Sequence, residues 1–363
     1  MIPAQKSYLI AGILLMTQYA YAQESWPSPE AEQIYTHARQ YLALGNYKDA
    51  VITYKQAILI APGKVAIYRE LGKALYLSGD FTEAKKVLLE IPAKADAGEE
   101  YYQLLAACMT AKQEFKTAKA TLKTGIEKYP LSGLLYHEAG NLELLEGNPE
   151  EALQAWLTGI QKAPGYQRNY YDAANIYLGT NEVMCGLLYG ELFLTMEQDT
   201  TGADELKRKL FAGYKTMFDN FGGDEVPGFG KTAKALPVNS FGDAVGQIYR
   251  GLTPVVSDGA TTENLTMVRT RFLMEWFQAY KSKYPFSLFD YQDEMIRTGH
   301  FDIYNEWLFG MAESAESYKA WNTFHEGDME RFLKWKKTLN YIPAGGDFRD
   351  IDKSMKGLFP KRK

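Results

Sequence analysis

Cysteine is scarce in this sequence of 363 residues, which contains two, Cys108 and Cys185. Small exported domains that cannot build a large core usually carry several disulfides, so a disulfide scaffold is excluded. Neither thiol has a nearby basic residue in the sequence that would activate it. We therefore expect both cysteines to stay unpaired and to pack as small apolar side chains.

Histidine is rare as well, and its four copies are His37, His137, His300 and His325. No two of them stand four residues apart, the spacing that places two metal ligands on one helix face. The sequence therefore predicts no metal site. His325 is followed closely by Glu326 and Asp328, but carboxylates at such a position are typical of helix caps.

Recognised catalytic and phosphate-binding motifs are missing from the sequence. Gly230-Lys231-Thr232 matches the end of a phosphate loop, but the motif requires another glycine five residues earlier, where this chain has Glu225. No Gly-x-Ser-x-Gly motif occurs either. We therefore predict no catalytic residues and no cofactor.

Positive charge is not in excess, because the formal net charge is -5. This balance gives no reason to expect a nucleic-acid partner. Only the stretch 346–363 is locally basic, through Lys353, Lys356 and the final Lys361-Arg362-Lys363. A short charged terminus of this kind is typical of a solvated tail.

Long hydrophobic runs are confined to the N-terminus. Lys6 precedes the apolar run Tyr8 to Met16, and the small-residue site Ala20-Tyr21-Ala22 follows. This pattern is typical of a secretory signal peptide over residues 1–22, cleaved after Ala22. The run is shorter than the roughly 20 residues that a membrane-spanning helix needs. We expect a periplasmic or secreted protein with no transmembrane segment after cleavage. The mature chain would begin with a linker over 23–30.

A repeated pattern of small, large and turn residues dominates the next part of the chain. The set Ala50, Tyr54, Ala57 and Pro62 returns as Ala118, Leu122, Gly125 and Pro130, and then as Ala152, Trp156, Gly159 and Pro164. The last two sets lie 34 positions apart, and the first two lie twice that distance apart. A fixed period of this length is the mark of a helical repeat array. It predicts two-helix units at 31–64, 65–98, 99–132 and 133–166, with a degenerate unit at 167–198.

This pattern resembles the tetratricopeptide repeat family over residues 31 to 195. The resemblance implies an all-α, right-handed superhelix of four to five helical hairpins. It also implies a concave groove that is lined by the first helices and holds a peptide or partner protein. Positions 2, 5, 9, 12 and 13 of each unit would lie in that groove. The candidate residues are Tyr35, Arg39, Arg69, Lys73, Tyr76, Gln103, His137, Asn141, Tyr171 and Asn175.

These residue types suit peptide binding. Amide side chains pair with a bound backbone, aromatic rings offer stacking area, and Arg or Lys holds a carboxylate. The alternative is that the same residues form an ordinary solvated helix face.

The 34-residue period is lost from Asp199 onward, although helical character continues over 199–345. Glycine and proline accumulate in the loop 220–239, which is a candidate contact region. The stretches Tyr189 to Leu194 and Phe301 to Gly310 resemble the uncharacterised helical extension behind repeat arrays in exported proteins of Gram-negative bacteria. That resemblance implies a helical C-terminal domain and no activity.

The leading hypothesis is therefore an exported, non-enzymatic scaffold or adaptor that binds a peptide or a partner protein. The rival hypothesis is an enzyme or small-ligand protein whose site lies in the C-terminal domain. Its candidate residues are Trp276, Tyr304, Trp307 and Trp321, which are otherwise expected to form the core of that domain.

Overall fold

The computed structural model describes residues 26–91, 97–196, 202–219, 228, 240–253, 259–339 and 341–344. All regular secondary structure in these ranges is helical, which confirms the all-α prediction. The chain divides into two compact units, Met1–Asp96 and Ala97–Lys363. The predicted signal peptide, the predicted tail 346–363 and the loop 220–239 apart from Gly228 lie outside the described residues.

The first unit contains two helical hairpins. Its helices are α1 (Pro29–Ala43), α2 (Tyr47–Ile60), α3 (Val65–Leu77) and α4 (Phe81–Leu89). The turns follow from the sequence, since Gly45 and Gly79 have φ values of 74° and 87°, which disfavour any other residue. The Asp80 carboxylate then accepts a hydrogen bond of 3.0 Å from the Glu83 N–H and caps α4.

The second unit begins with three further hairpins. Their helices are α5 (Glu99–Ala111), α6 (Phe115–Lys128), α7 (Gly133–Leu145), α8 (Pro149–Lys162), α9 (Arg168–Leu178) and α10 (Val183–Met196). The first helices α5, α7 and α9 are neighbours, and each also packs on the second helix of its own hairpin. Small residues of the repeat pattern lie where two helices cross at short distance. At Gly140, an added Cβ would lie only 2.6 Å from Cε2 of Trp156, so this position has no room for a side chain.

We expect Gly140→Ala to lower the free energy of unfolding by about 1–3 kcal/mol, because the new methyl group forces Trp156 out of its buried position. Gly251→Ala is the matched control, since an added Cβ there meets no atom within 4 Å. Chemical denaturation of both variants tests this expectation. Equal stabilities would show that the crossing tolerates a side chain.

The remaining helices complete the second unit. They are α11 (Ala203–Asp219), α12 (Phe241–Leu252), α13 (Thr262–Ala279), α14 (Ser287–Arg297), α15 (Phe301–Asn305), a π-helical turn (Glu306–Gly310), α16 (Met311–Glu313) and α17 (Ala315–Leu339). Within the ranges that the structure describes, no helix combines the length and apolar character needed to cross a membrane.

Helix α10 lies at the centre of the second unit. Thirteen of its fourteen residues are buried, whereas a helix at the end of a repeat array would leave one face exposed. Gly190 allows Leu210 of α11 to approach closely, and Gly186 does the same for Leu178 of α9. One continuous apolar core runs from Ala152 to Phe332. The fifth hairpin and the C-terminal helices therefore share one core. The predicted domain border at 198 remains a prediction.

A buried ion pair lies in this core. The Arg269 guanidinium on α13 donates to the Glu191 carboxylate on α10, and the side chains are 4% and 2% exposed. Three more donors reach Glu191: the Tyr304 hydroxyl at 2.9 Å, the Gln292 amide at 2.8 Å and the Tyr214 hydroxyl at 3.2 Å. A buried charge is stable only when it is paired and hydrogen-bonded, and both conditions are met.

Candidate functional site

The first unit carries five of the predicted groove residues on the first helices α1 and α3. Arg39 and Lys73 are exposed, while Tyr35, Arg69 and Tyr76 are half-buried. The Arg39 guanidinium lies 6.0 Å from the centre of the Tyr35 ring, within cation–π range. Arg39, which lies beside an aromatic ring, and the exposed Lys73 are both side chains that can pair with a carboxylate.

The second unit brings three further groove residues together on α5 and α7. The His137 imidazole Nε2 lies 2.8 Å from a carboxylate oxygen of Asp172 on α9. The Gln103 amide donates to the Glu138 carboxylate at 3.0 Å, and the Asn141 amide nitrogen lies 3.4 Å from the His137 ring nitrogens. The three predicted residues therefore belong to one polar cluster across three first helices.

Two acidic members of this cluster, Glu138 and Asp172, were missed in the sequence. They stand directly after His137 and Tyr171, and they also lie 34 positions apart. The spacing could have revealed them as a pair. The predicted residues on this face are neutral or basic. The two carboxylates add negative charge to it.

The charge state of His137 follows from its surroundings. Burial opposes protonation, but the hydrogen bonds to Asp172 and Glu138 outweigh it and raise the pKa of His137 to about 9. The imidazole is therefore a cation at neutral pH and links the two carboxylates. The cluster as a whole carries more negative than positive charge.

This shift predicts a pH dependence of stability. A histidine whose pKa rises from 6.5 to about 9 on folding contributes its full stabilisation below pH 6.5 and loses it as the pH passes 9. We expect the free energy of unfolding to fall by up to about 3 kcal/mol between these limits. Asp172→Asn should remove most of this slope, as measured by urea unfolding at several pH values. An unchanged slope in Asp172→Asn would contradict the assignment.

The last two groove residues, Tyr171 and Asn175, lie on α9. The Tyr171 ring packs 5.1 Å from the ring of Phe193, and the Asn175 side-chain oxygen accepts a hydrogen bond of 2.7 Å from Lys209. Lys209 belongs to α11 and stands 34 residues after Asn175. Helix α11 thus packs beside α9 as the next first helix would, although the repeat pattern had ended in the sequence.

Two residues of the rival site, Tyr304 and Trp307, stack with ring centres 6.0 Å apart. Trp276 and Tyr304 are buried in the core of the second unit. Trp307 is half-buried beneath the Lys207 ammonium, which lies 3.8 Å from the ring centre. Burial lowers the pKa of Lys207 to about 8. Trp321 lines an open cleft.

The two cysteines and His325, which were considered from the sequence, lie on α5, α10 and α17. Cys108 and Cys185 are buried and form no disulfide. His325 Nδ1 lies 3.1 Å from Asp328 on the same helix, α17. Within the described part of the chain, no three His, Cys, Asp or Glu side chains are grouped so that they could hold a metal ion.

Comparison with known families identifies the hairpins. Residues 41–108 match the tetratricopeptide repeat family, a stretch that runs from the end of α1 into α5. This part of the chain is similar to tetratricopeptide repeats. The match covers the turns at Gly45 and Gly79, and it includes the predicted groove residues Arg69, Lys73, Tyr76 and Gln103. No curated protein sequence matches the chain.

Several solved structures are similar to about half of the chain. A crystal structure of MamA shares 21% identity, with 43% of this chain and 92% of MamA covered and a TM-score of 0.37. PilF of Pseudomonas aeruginosa shares 14% identity, with 51% and 84% covered and a TM-score of 0.44. YrrB, a TPR protein with an unusual peptide-binding site, shares 17% identity, with 49% and 92% covered and a TM-score of 0.35. These distant likenesses carry no inference about the ligand of this chain.

Proposed function

We propose that the protein is an exported, non-enzymatic scaffold whose first helices bind a peptide or a partner protein. The observation that carries the proposal is the tetratricopeptide segment, whose first helices present polar and aromatic side chains instead of a sealed apolar face. Binding of extended segments by such faces uses hydrogen bonds to the ligand backbone and ion pairs to its side chains.

The faces of the two units offer different chemistry to a ligand. The first unit supplies the exposed cations Arg39 and Lys73, which suit an acidic side chain or a terminal carboxylate. The second unit supplies the cluster of Glu138, His137 and Asp172, which suits a backbone N–H or a basic side chain.

Site-specific photocrosslinking in the native host tests the proposal. A photoreactive residue at position 73 should capture a protein or peptide partner, whereas the same residue at exposed Lys55 on second helix α2 should not. Combining the charge reversals Arg39→Glu and Lys73→Glu should weaken binding of the captured partner about tenfold or more while leaving helix content unchanged. Equal capture from positions 73 and 55 would overturn the assignment of the face.

Export is a separate part of the proposal and rests on the sequence pattern of residues 1–22. The mature protein should begin at Gln23 and be recovered in the periplasmic or extracellular fraction. N-terminal sequencing of the purified native protein distinguishes this result from a retained leader.

A further inference from the structure

A large open cleft lies within the second unit. It has a volume of about 930 Å³ and is walled by α13, by α15 with its π-helical turn, and by α17. The volume falls in the range of about 300–1,000 Å³ that is usual for ligand sites. Lining residues on α13 run from Glu263 to Met274, which corresponds to a wall about 16 Å long.

The walls of the cleft are acidic. Four carboxylates and a single guanidinium, that of Arg271, line it. Asp328 already pairs with Arg331 and His325. Within the part of the chain that the structure describes, Glu263, Asp302 and Glu306 form no salt bridge. Burial, followed by the nearby charge of Glu313, raises the pKa of Glu306, and the smaller effect of His325 opposes the rise.

The cleft also offers apolar and aromatic surface. The Trp321 ring is half-buried at its wall and stacks on His325 with ring centres 4.5 Å apart. Met274 is 68% exposed, and Met267 lies beside it on the same helix. An indole ring attracts ammonium and guanidinium groups, and methionine side chains adapt to an aliphatic chain.

Helix irregularities occur on two walls of the cleft. Glu306 begins the π-helical turn, and His325 interrupts α17 with φ of -116° and ψ of 18°. Single π-helical turns inside α-helices occur frequently at functional sites. Since no three of the described carboxylates are close enough to hold one metal ion, their charges suit a ligand with separated positive groups.

We propose that this cleft binds an organic cation whose ammonium or guanidinium groups are spaced along an aliphatic chain. The positive groups would pair with Glu263, Asp302 and Glu306, and the chain would lie against Trp321 and Met274. Such a ligand is either a free polyamine or a peptide segment with separated Lys or Arg side chains. The cleft does not include the first-helix faces. A negative result for the cleft would therefore not contradict the function proposed for those faces.

Calorimetric titration of the full mature chain with spermidine and with the peptide acetyl-Lys-Leu-Lys-amide tests the proposal. At least one probe should bind, and its affinity should fall about tenfold in Asp302→Asn and in Glu306→Gln. Glu330→Gln is the matched control, because Glu330 is an exposed carboxylate on α17 that does not line the cleft. Asp302 is exposed, so Asp302→Asn carries the test even if Glu306→Gln fails to fold.

The pattern of binding identifies the source of the ligand. Binding of spermidine alone assigns the cleft to free polyamines, and binding of the peptide alone assigns it to basic protein segments. Affinity should also fall as salt rises, because the pairs are open to solvent. Failure of both probes, equal affinity in Asp302→Asn, or equal binding of fully acetylated spermidine would overturn the proposal.

Discussion

Glu191→Ala is expected to lower the free energy of unfolding by about 3–5 kcal/mol, because it leaves the Arg269 guanidinium buried without its counter-ion. Burial by itself would lower the pKa of Arg269, and the Glu191 carboxylate raises it above its ordinary value. The variant also removes the acceptor of Tyr214, Tyr304 and Gln292, so three more buried donors lose a partner. Urea unfolding followed by circular dichroism measures the loss.

Glu205→Ala is the matched control for this experiment. Glu205 also forms an ion pair with a basic side chain, Lys209, but both partners are exposed on the surface of α11. Its removal should leave the unfolding midpoint unchanged within error. If Glu191→Ala were as stable as this control, the buried pair would not hold α10 against α13.

Division of the chain between α10 and α11 is expected to abolish cooperative folding of the C-terminal part. A fragment 201–363 lacks α10, whose residues are buried among the C-terminal helices, and leaves Arg269 without Glu191. A fragment 97–363 retains the whole core and should melt in one cooperative transition. Thermal unfolding followed by calorimetry compares the two fragments.

The two possible outcomes have different meanings for the domain organisation. A cooperative transition of fragment 201–363 at the melting temperature of fragment 97–363 would show that the C-terminal helices fold without α10. Failure of 201–363 together with folding of 97–363 would show that the repeat array and the C-terminal helices cannot be separated at the predicted border, 198.

Much of the local structure could be predicted from the sequence because it depends on short-range rules. Glycines such as Gly45 and Gly79 take the positive φ values that end the first helices, and the following polar residues cap the next ones. The alanines and glycines of the 34-residue pattern lie where helices cross closely. The positions of the predicted groove residues on first helices followed from the same period.

The chemistry of the candidate faces was less predictable. Placing His137 on a first helix required only the period, but its charge depends on Asp172 from the next hairpin. Lys209 completes the contact to Asn175 from a helix in which the repeat pattern is no longer visible. Side-chain pairing between helices depends on their packing, which the repeat period does not specify residue by residue.

The sequence by itself determined that this chain is helical, that helical hairpins repeat in its first part, and that the candidate groove residues lie on the first helices of those hairpins. Only the tertiary structure decided that α10 is the central helix of the second unit, that Glu191 meets Arg269, and that an acidic cleft opens between α13 and α17. The physical reason is distance along the chain. Helical periodicity is a property of near neighbours, whereas Glu191 and Arg269 are separated by 78 residues and meet only when the core is packed.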